Sequence, residues 1–366
     1  MATLDEARDA LGELFIIGFN DLELADETAS FISQAKIGGV ILFSHNYENP
    51  GQVAELTNQV QECRAGELPL WIAVDHEGGR VQRFKRVFTR IPDAASIGAV
   101  DSPKLAFEIA ETLAKELKAV GININFSPVA DIATNSRNPV IGPRAFGNNE
   151  EIVSKMVSAF VRGHLVQGVQ PCLKHFPGHG DTSTDSHFAL PRVDTSLEVL
   201  REREFKPFVK GFKSRCAMVM TAHILNSKLD AERPATLSKK ILREILRQEL
   251  RYFKLIISDD LEMKAITDHY GAEDAPRLAI EAGCDLLIYR SEAGARHAYE
   301  ALLKALESEK LSPELVVEAA QRSRELKKEV LLPYQAITIS ELNQKVGTPE
   351  NLAVIQQLGQ KLAPVQ

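Results

Sequence analysis

Cysteine is scarce and scattered in this chain: four residues, Cys63, Cys172, Cys216 and Cys284, with no CxxC pair among them. That spacing argues against a disulfide or zinc framework and reads as buried, reduced thiols. No stretch approaches 18 consecutive apolar residues, so no segment reads as a membrane span. Positive charge is not in excess either. The 43 Lys and Arg against 50 Asp and Glu leave a formal net charge of -7 at pH 7, which argues against nucleic acid or an anionic membrane as partner. The first residues carry Asp5, Glu6 and Asp9 rather than a cationic region ahead of an apolar stretch. No secretory signal is read there, and a cytoplasmic location is the expectation. No Pro/Gly/Ser linker, charge block or internal repeat divides the 366 residues.

What the chain does have is alternation. Its 44% hydrophobic and 25% charged content is that of an ordinary soluble globule with ample core. Short apolar, β-branched runs at 14–19, 38–43, 70–74, 122–127, 170–173, 217–222, 255–258 and 285–289 read as strands. Amphipathic stretches at 51–64, 103–119, 149–167, 196–213, 239–250, 274–282 and 293–307 read as helices. Several open on a capping residue, such as Ser102 before Pro103 or Ser238 before Lys239. Strands that alternate with helices pair in parallel, and an even count of eight favours a closed barrel over an open sheet. The expected fold is α/β: a single TIM-like (β/α)8 barrel over residues 1–335, including a helix at 312–330. A C-terminal tail over 336–366 follows, in which Thr348 and Pro349 open a short helix, with no second domain.

Barrel active sites gather where strands end. Those ends are polar: Asp75 after the third strand, Lys174 and His175 after the fifth, His223 after the sixth, Asp259 and Asp260 after the seventh, Arg290 after the eighth. The richest stretch runs from Lys174 to His187, Lys-His-Phe-Pro-Gly-His-Gly-Asp-Thr-Ser-Thr-Asp-Ser-His, with three of the nine histidines in fourteen residues. Pro177, Gly178 and Gly180 bar a regular helix there, so it reads as a loop that holds polar groups out for chemistry. At its end Asp185 stands two residues from His187, and a carboxylate beside an imidazole orients it and keeps it protonated for acid/base work. His175-x3-His179-x-Asp181 invites a metal reading, but Pro177-Gly178 keeps the two rings off a common helical face, and no metal or cofactor is expected. Asp259-Asp260 accommodates both roles, Asp259 as a nucleophile or base pointing into the mouth and Asp260 as a helix N-cap behind it. Asp75-His76-Glu77-Gly78-Gly79-Arg80-Val81-Gln82-Arg83 sets an acceptor for vicinal hydroxyls beside planar donor forks, which suits a sugar or a small anion. Arg80 in that loop reads equally as one half of a loop salt bridge. Arg144, in the loop Asn138-Pro139-Val140-Ile141-Gly142-Pro143-Arg144, is on composition alone as good a surface charge as a site residue. His45, His164, His269 and His297 read as surface or packing residues.

The stretch Lys174-His175-Phe176-Pro177-Gly178-His179-Gly180-Asp181-Thr182…Asp185-Ser186-His187 resembles the signature of glycoside hydrolase family 3 β-N-acetylhexosaminidases. Ser258-Asp259-Asp260-Leu261-x-Met263 is similar to that family's nucleophile segment. The loops around Asp75-x-Glu77-Gly78-Gly79-Arg80-Val81-x-Arg83 and Asn138-Pro139-Val140-Ile141-Gly142-x-Arg144-x-Phe146-Gly147 are similar to its substrate-binding loops. The resemblance implies release of terminal β-linked N-acetylglucosamine with retention, through a covalent glycosyl-enzyme. Carried over residue by residue, it makes Asp259 the nucleophile, His187 the acid/base and Asp185 its partner. Asp75, Arg83, Arg144, Lys174 and His175 become the sugar-binding residues. It further implies a small-molecule glycoside substrate, a muropeptide or chito-oligosaccharide, met by a monomer in cell-wall recycling. His76 departs from the family, where a Gln is common. Val346-Gly347-Thr348-Pro349-Glu350-Asn351 is similar to the segment that leads into a second domain in longer relatives. Two enzymatic alternatives stand beside this reading, a family 3 β-glucosidase and an N-acetylglucosaminide phosphorylase. A third alternative is a sugar-binding sensor barrel without catalysis.

Overall fold

The computed structural model describes residues 2–66, 68–186 and 190–363. Its strands, in chain order, begin with β1 (Phe15–Ile17), β2 (Gly39–Leu42), β3 (Trp71–Val74), β4 (His76–Gly78) and β5 (Val81–Gln82). There follow β6 (Ile124–Asn125), β7 (Gln170–Phe176), β8 (Arg192–Val193), β9 (Met218–Thr221), β10 (Leu225–Asn226), β11 (Leu255–Asp260) and β12 (Leu286–Tyr289). Eight of them, β1, β2, β3, β6, β7, β9, β11 and β12, close in chain order into a parallel barrel, with β12 paired back onto β1. The expected (β/α)8 fold is what the chain forms. The other four make two small ribbons, β4 with β5 and β8 with β10.

The strand period of two sorts the side chains. Ile16, Ile41, Trp71, Ala73, Ile124, Cys172, Met218, Met220, Leu255, Ile257, Leu286 and Ile288 form one apolar cluster inside the barrel. Their neighbours Phe15, Ile17, Val40, Leu42, Ile72, Val74, Leu173, Val219, Ile256 and Leu287 join a second cluster with the surrounding helices. Two residues beyond the last inward apolar side chain come Asp75, Lys174, Asp259 and Arg290, so the alternation that packs the core also turns these groups into the mouth. The ladders are irregular between Leu173 and Phe176 and between Ile257 and Asp260, on the two strands that carry Lys174 and Asp259. Such irregularities re-aim side chains near barrel rims.

The helix expected at 196–213 is two helices, Leu197–Glu202 and Phe205–Lys213. Pro207 has no N–H to offer the preceding turn, so the chain restarts rather than continues. The expected helices at 103–119 and 274–282 lie where the pattern put them. The one expected at 239–250 is a π-type helix, Lys240–Glu249, with Ser238 Oγ accepting from Ile241 N. The helix Pro313–Leu331 closes the base of the barrel: its Leu326 and Leu331 enter the inner cluster, and Lys327 Nζ donates to Gly38 O at 2.8 Å. Thr348 caps the last helix, Pro349–Leu362, by accepting from Asn351 N. Among the described residues no helix is long and apolar enough to cross a membrane.

Candidate active site

Asp75, at the end of β3, faces Lys174, on β7. Lys174 Nζ lies 2.8 Å from Asp75 Oδ1 and 2.6 Å from Glu77 Oε1. Arg144 grips the other edge of Glu77 with two parallel bonds, Nε to Oε2 at 2.8 Å and Nη2 to Oε1 at 2.7 Å. Arg83 Nη2 reaches Asp75 Oδ2 at 3.3 Å. Three cations therefore interlock with two carboxylates around one wall of the mouth. Burial works against ionising Asp75, yet the charges of Lys174 and Arg83 hold its carboxyl well below the usual range. Burial likewise opposes Glu77, and Arg144 and Lys174 bring it down to about 2. Lys174 and Arg144 are cations whose carboxylate partners outweigh burial and raise their pKa values. Arg144, its side chain 13% exposed, thus lines the cavity rather than standing as a surface charge. Among the described residues Arg80 donates to the carbonyls of Pro139 and Val140 and not to a carboxylate, so a backbone clamp stands where a loop salt bridge was the alternative.

His175 stands beside this cluster with Nδ1 2.7 Å from Asp131 Oδ2. Asp131 also accepts the backbone N–H groups of His175 and His179, the latter at 2.6 Å. Burial pushes the Asp131 carboxyl up, but the adjoining His175 pulls it further down, so it is a carboxylate. An acceptor at Nδ1 puts the proton there and leaves Nε2 for the cavity that His175 lines. His179 is held through Nδ1 by Thr182 Oγ1 at 2.8 Å. Burial and the neighbouring His175 lower it to about 4. Asp181 turns instead to Arg203, Thr134 and Thr195. The side chains of the three groups of the His-x3-His-x-Asp spacing therefore turn to separate partners.

Asp259 ends the inward row Leu255, Ile257. Burial raises its carboxyl, but His223 and His175 lower it more, and the group is ionised. One of its oxygens accepts Asp260 N at 2.8 Å. Asp260 lines only the larger cavity and is tied up: Arg290 Nε lies 2.8 Å from its Oδ2, and its Oδ1 accepts Glu262 N. Burial pushes Asp260 up to about 6. The expectation that Asp260 caps a helix is not met, because β11 runs through it and the next helix begins only at Lys264, after an uncapped Met263. Its bond to Glu262 N closes a tight turn in place of a helix cap. His223 braces the same turn, with Nε2 2.9 Å from Asp260 O and Nδ1 2.8 Å from Thr236 Oγ1.

Two cavities meet at Asp259. One, of about 310 Å³, is walled by Glu77, Arg144, Lys174, His175, His179 and Asp185. The other, of about 400 Å³, has an apolar floor of Ile41, Phe126, Met263 and Ile288, with His45 and Arg290 at its edge. Asp75, Arg83, Met220 and Asp259 line both. His45, read as a surface or packing residue, thus borders the site, bonded through Nε2 to Phe19 O at 3.0 Å. His164 is a packing residue, buried between Asn125 and Phe160 O. Of the residues singled out, Asp75, Arg83, Arg144, Lys174, His175, Asp185 and Asp259 come together; His187 lies outside the described residues. The sequence reading assigned no role to Glu77, Asp131, His179 or Asn138. Glu77 and His179 sit inside motifs already quoted. Asp131 lies four residues beyond the fourth expected strand, with no local pattern to mark it.

The chain is 37% identical over 355 residues to Beta-hexosaminidase A of Pseudoalteromonas piscicida, an alignment that takes in 90% of this chain and 59% of that protein. It therefore spans less than two thirds of that relative. The fold matches a family 3 beta-N-acetylglucosaminidase from Paenibacillus sp. str. FPU-7 with a TM-score of 0.93 at 37% identity, covering 97% of this chain and 68% of that one. It also matches NagZ from Neisseria gonorrhoeae, solved in complex with N-trifluoroacetyl-D-glucosamine, with a TM-score of 0.77 at 29% identity, over 96% of this chain and 98% of that one. The family model of the glycosyl hydrolase family 3 N-terminal domain matches residues 6–326, from ahead of β1 into the helix that closes the base. The match takes in the barrel along nearly its whole length, and the chain belongs to glycosyl hydrolase family 3.

Proposed function

We propose that this protein is a retaining β-N-acetylhexosaminidase that releases terminal β-linked N-acetylglucosamine, with peptidoglycan fragments as natural substrate in the cytoplasm. The observation that carries the reading is Asp259: a half-buried, ionised carboxylate at the junction of two cavities, next to a cluster of interlocked charges. Asp75, Arg83, Arg144, Lys174 and His175 hold the sugar. Asp259 attacks C1 as the glycosidic C1–O bond breaks, and His187, oriented by Asp185, protonates the leaving oxygen. His187 then takes a proton from water, whose oxygen attacks C1 and frees Asp259. The similarity to a NagZ that binds an N-acylated glucosamine supports a 2-acylamino sugar. Residues 1–335 are the catalytic barrel in this reading and 336–366 its tail.

Turnover of aryl β-glycosides that differ only at the 2-position, with and without phosphate, tests it. The N-acetylglucosaminide is the expected substrate, with free sugar as product. Preference for the glucoside would make the chain a β-glucosidase, sugar 1-phosphate would make it a phosphorylase, and binding without turnover would make it a sensor. A 5-fluoro glycoside should label the peptide that contains Asp259, and labelling elsewhere overturns the assignment.

A further inference from the structure

Glu116, on the helix Pro103–Ala119, is buried on the outer wall of the barrel and accepts four hydrogen bonds. Two come from one residue of the loop that follows Arg83: Thr89 N at 2.9 Å and Thr89 Oγ1 at 2.6 Å. Two come from the C-terminal tail: Gly347 N at 2.8 Å and Asn351 Nδ2 at 2.7 Å. One carboxylate thus joins segments more than 250 positions apart. The tail also touches the loop directly. Gly347, at φ +63°, lies so close that a Cβ on it would stand 2.2 Å from Val87 O. No side chain fits there, and the left-handed backbone favours glycine as well.

The loop itself is tied at its neck and on its inner face. The Gln82 amide donates to Phe84 O and Thr89 O and accepts from Ile91 N. Phe84 and Phe88 pack on Tyr47, ring centroids 4.8 and 5.7 Å away, and on His76, at 5.6 and 5.8 Å. Burial lowers His76 to about 3, so this inner face is uncharged at neutral pH. What remains is the outer face, and there Glu116 and the tail supply the contact.

We propose that the tail segment Gly347–Asn351, acting through Glu116, is a positioning element for Arg83 and that sugar affinity depends on it. The kinetic half of this inference rests on the glycosidase reading; the structural half does not. Asn351→Ala removes the amide that donates to Glu116 and, within the tail, to Lys345 O, and changes no residue of the barrel. It should raise KM for the aryl N-acetylglucosaminide on the order of fivefold, with kcat within about twofold, since Asp259 is undisturbed. In an Arg83→Ala background the same change should leave KM within about twofold, because its effect passes through Arg83. Asn351→Asp sets a carboxylate against Glu116 and should be worse. Adding Glu116→Gln turns the oxygen that faces residue 351 into a donor at the cost of the Gly347 N bond, and should recover part of the lost KM, a rescue that a general loss of stability would not show. Hydrogen exchange at residues 84–90 gives a readout free of catalysis and should quicken in Asn351→Ala. An unmoved KM, or losses that add in the double variant, overturns the proposal, as does unchanged exchange in the loop. If no glycoside is turned over but exchange quickens, the brace stands and the glycosidase reading falls.

Discussion

Asp259 and Asp260 are neighbours with opposite fates, and the pleat of one strand separates them. Asp259 shares the inward face of Leu255 and Ile257, whereas Asp260 is turned to Arg290 and to the turn at Glu262. Asp259→Ala should therefore lower kcat by about 10⁴-fold or more, as loss of a covalent catalyst does, while Asp260→Asn should retain most activity. The second variant should differ in its pH response instead. Burial lifts Asp260 from an ordinary 3.8 to about 6, so the folded chain holds that proton more tightly than the unfolded one. Protonation of this group favours folding below about 4, and that advantage is lost as pH rises through about 6. Asparagine cannot ionise, so the urea midpoint of Asp260→Asn should gain on the wild type between about pH 4.5 and 7. A constant difference across that range would mean that Asp260 does not titrate there.

The loops after β6 and β7 form one unit, and Asn138 joins them together with Asp131, Thr134 and Asn135. Asn138 Nδ2 donates to His179 O at 2.8 Å and Gly180 O at 2.9 Å, and its Oδ1 accepts Val140 N and Ile141 N. Gly180 packs so tightly that a Cβ would meet Ile132 O at 1.7 Å, one residue from the Asp131 that holds His175. Asn138→Ala strands several buried polar groups, at about 1–3 kcal/mol each, and should loosen His179 and Arg144 together. Faster hydrogen exchange in both loops, with a raised KM, is the expected result; exchange confined to one loop would refute the coupling. This pairing was not legible beforehand, because it rests on contacts between segments some 40 residues apart. The strand ends were legible, since apolar runs stop where polar groups begin, and they located Asp75, Lys174 and Asp259. Even so, β7 continues through Phe176, past the point where its apolar run ends. The hairpin β4–β5 escaped notice because His-Glu-Gly and Val-Gln show no period. Asp131 and Glu77 matter through the side chains they hold, His175 for the first and Arg144 with Lys174 for the second, and such pairings leave no mark on a local sequence pattern.

In the molecule as a whole, chemistry gathers at one end of the barrel and a separate ionic network lies at the other. Lys327 Nζ lies 2.7 Å from Glu13 Oε1, Ser323 Oγ donates to the same oxygen at 2.6 Å, and Trp71 Nε1 donates to Ser323 Oγ at 3.0 Å. In barrels of this kind the base serves stability and the mouth serves function. Lys327→Met leaves Glu13 buried without its cation, a loss of about 3–5 kcal/mol. Adding Glu13→Gln removes the stranded charge and should recover much of it. Neither variant should change KM, because neither side chain reaches the cavities around Asp259. Trp71 is the only tryptophan in the chain, so its emission reports on this base alone. In Lys327→Met that emission should shift to the red and the urea midpoint should fall. Saturation of the native protein with N-acetylglucosamine should leave the emission wavelength where it was. A KM that moves with Lys327, or a tryptophan signal that follows sugar binding, would mean that the helix at the base is coupled to the mouth.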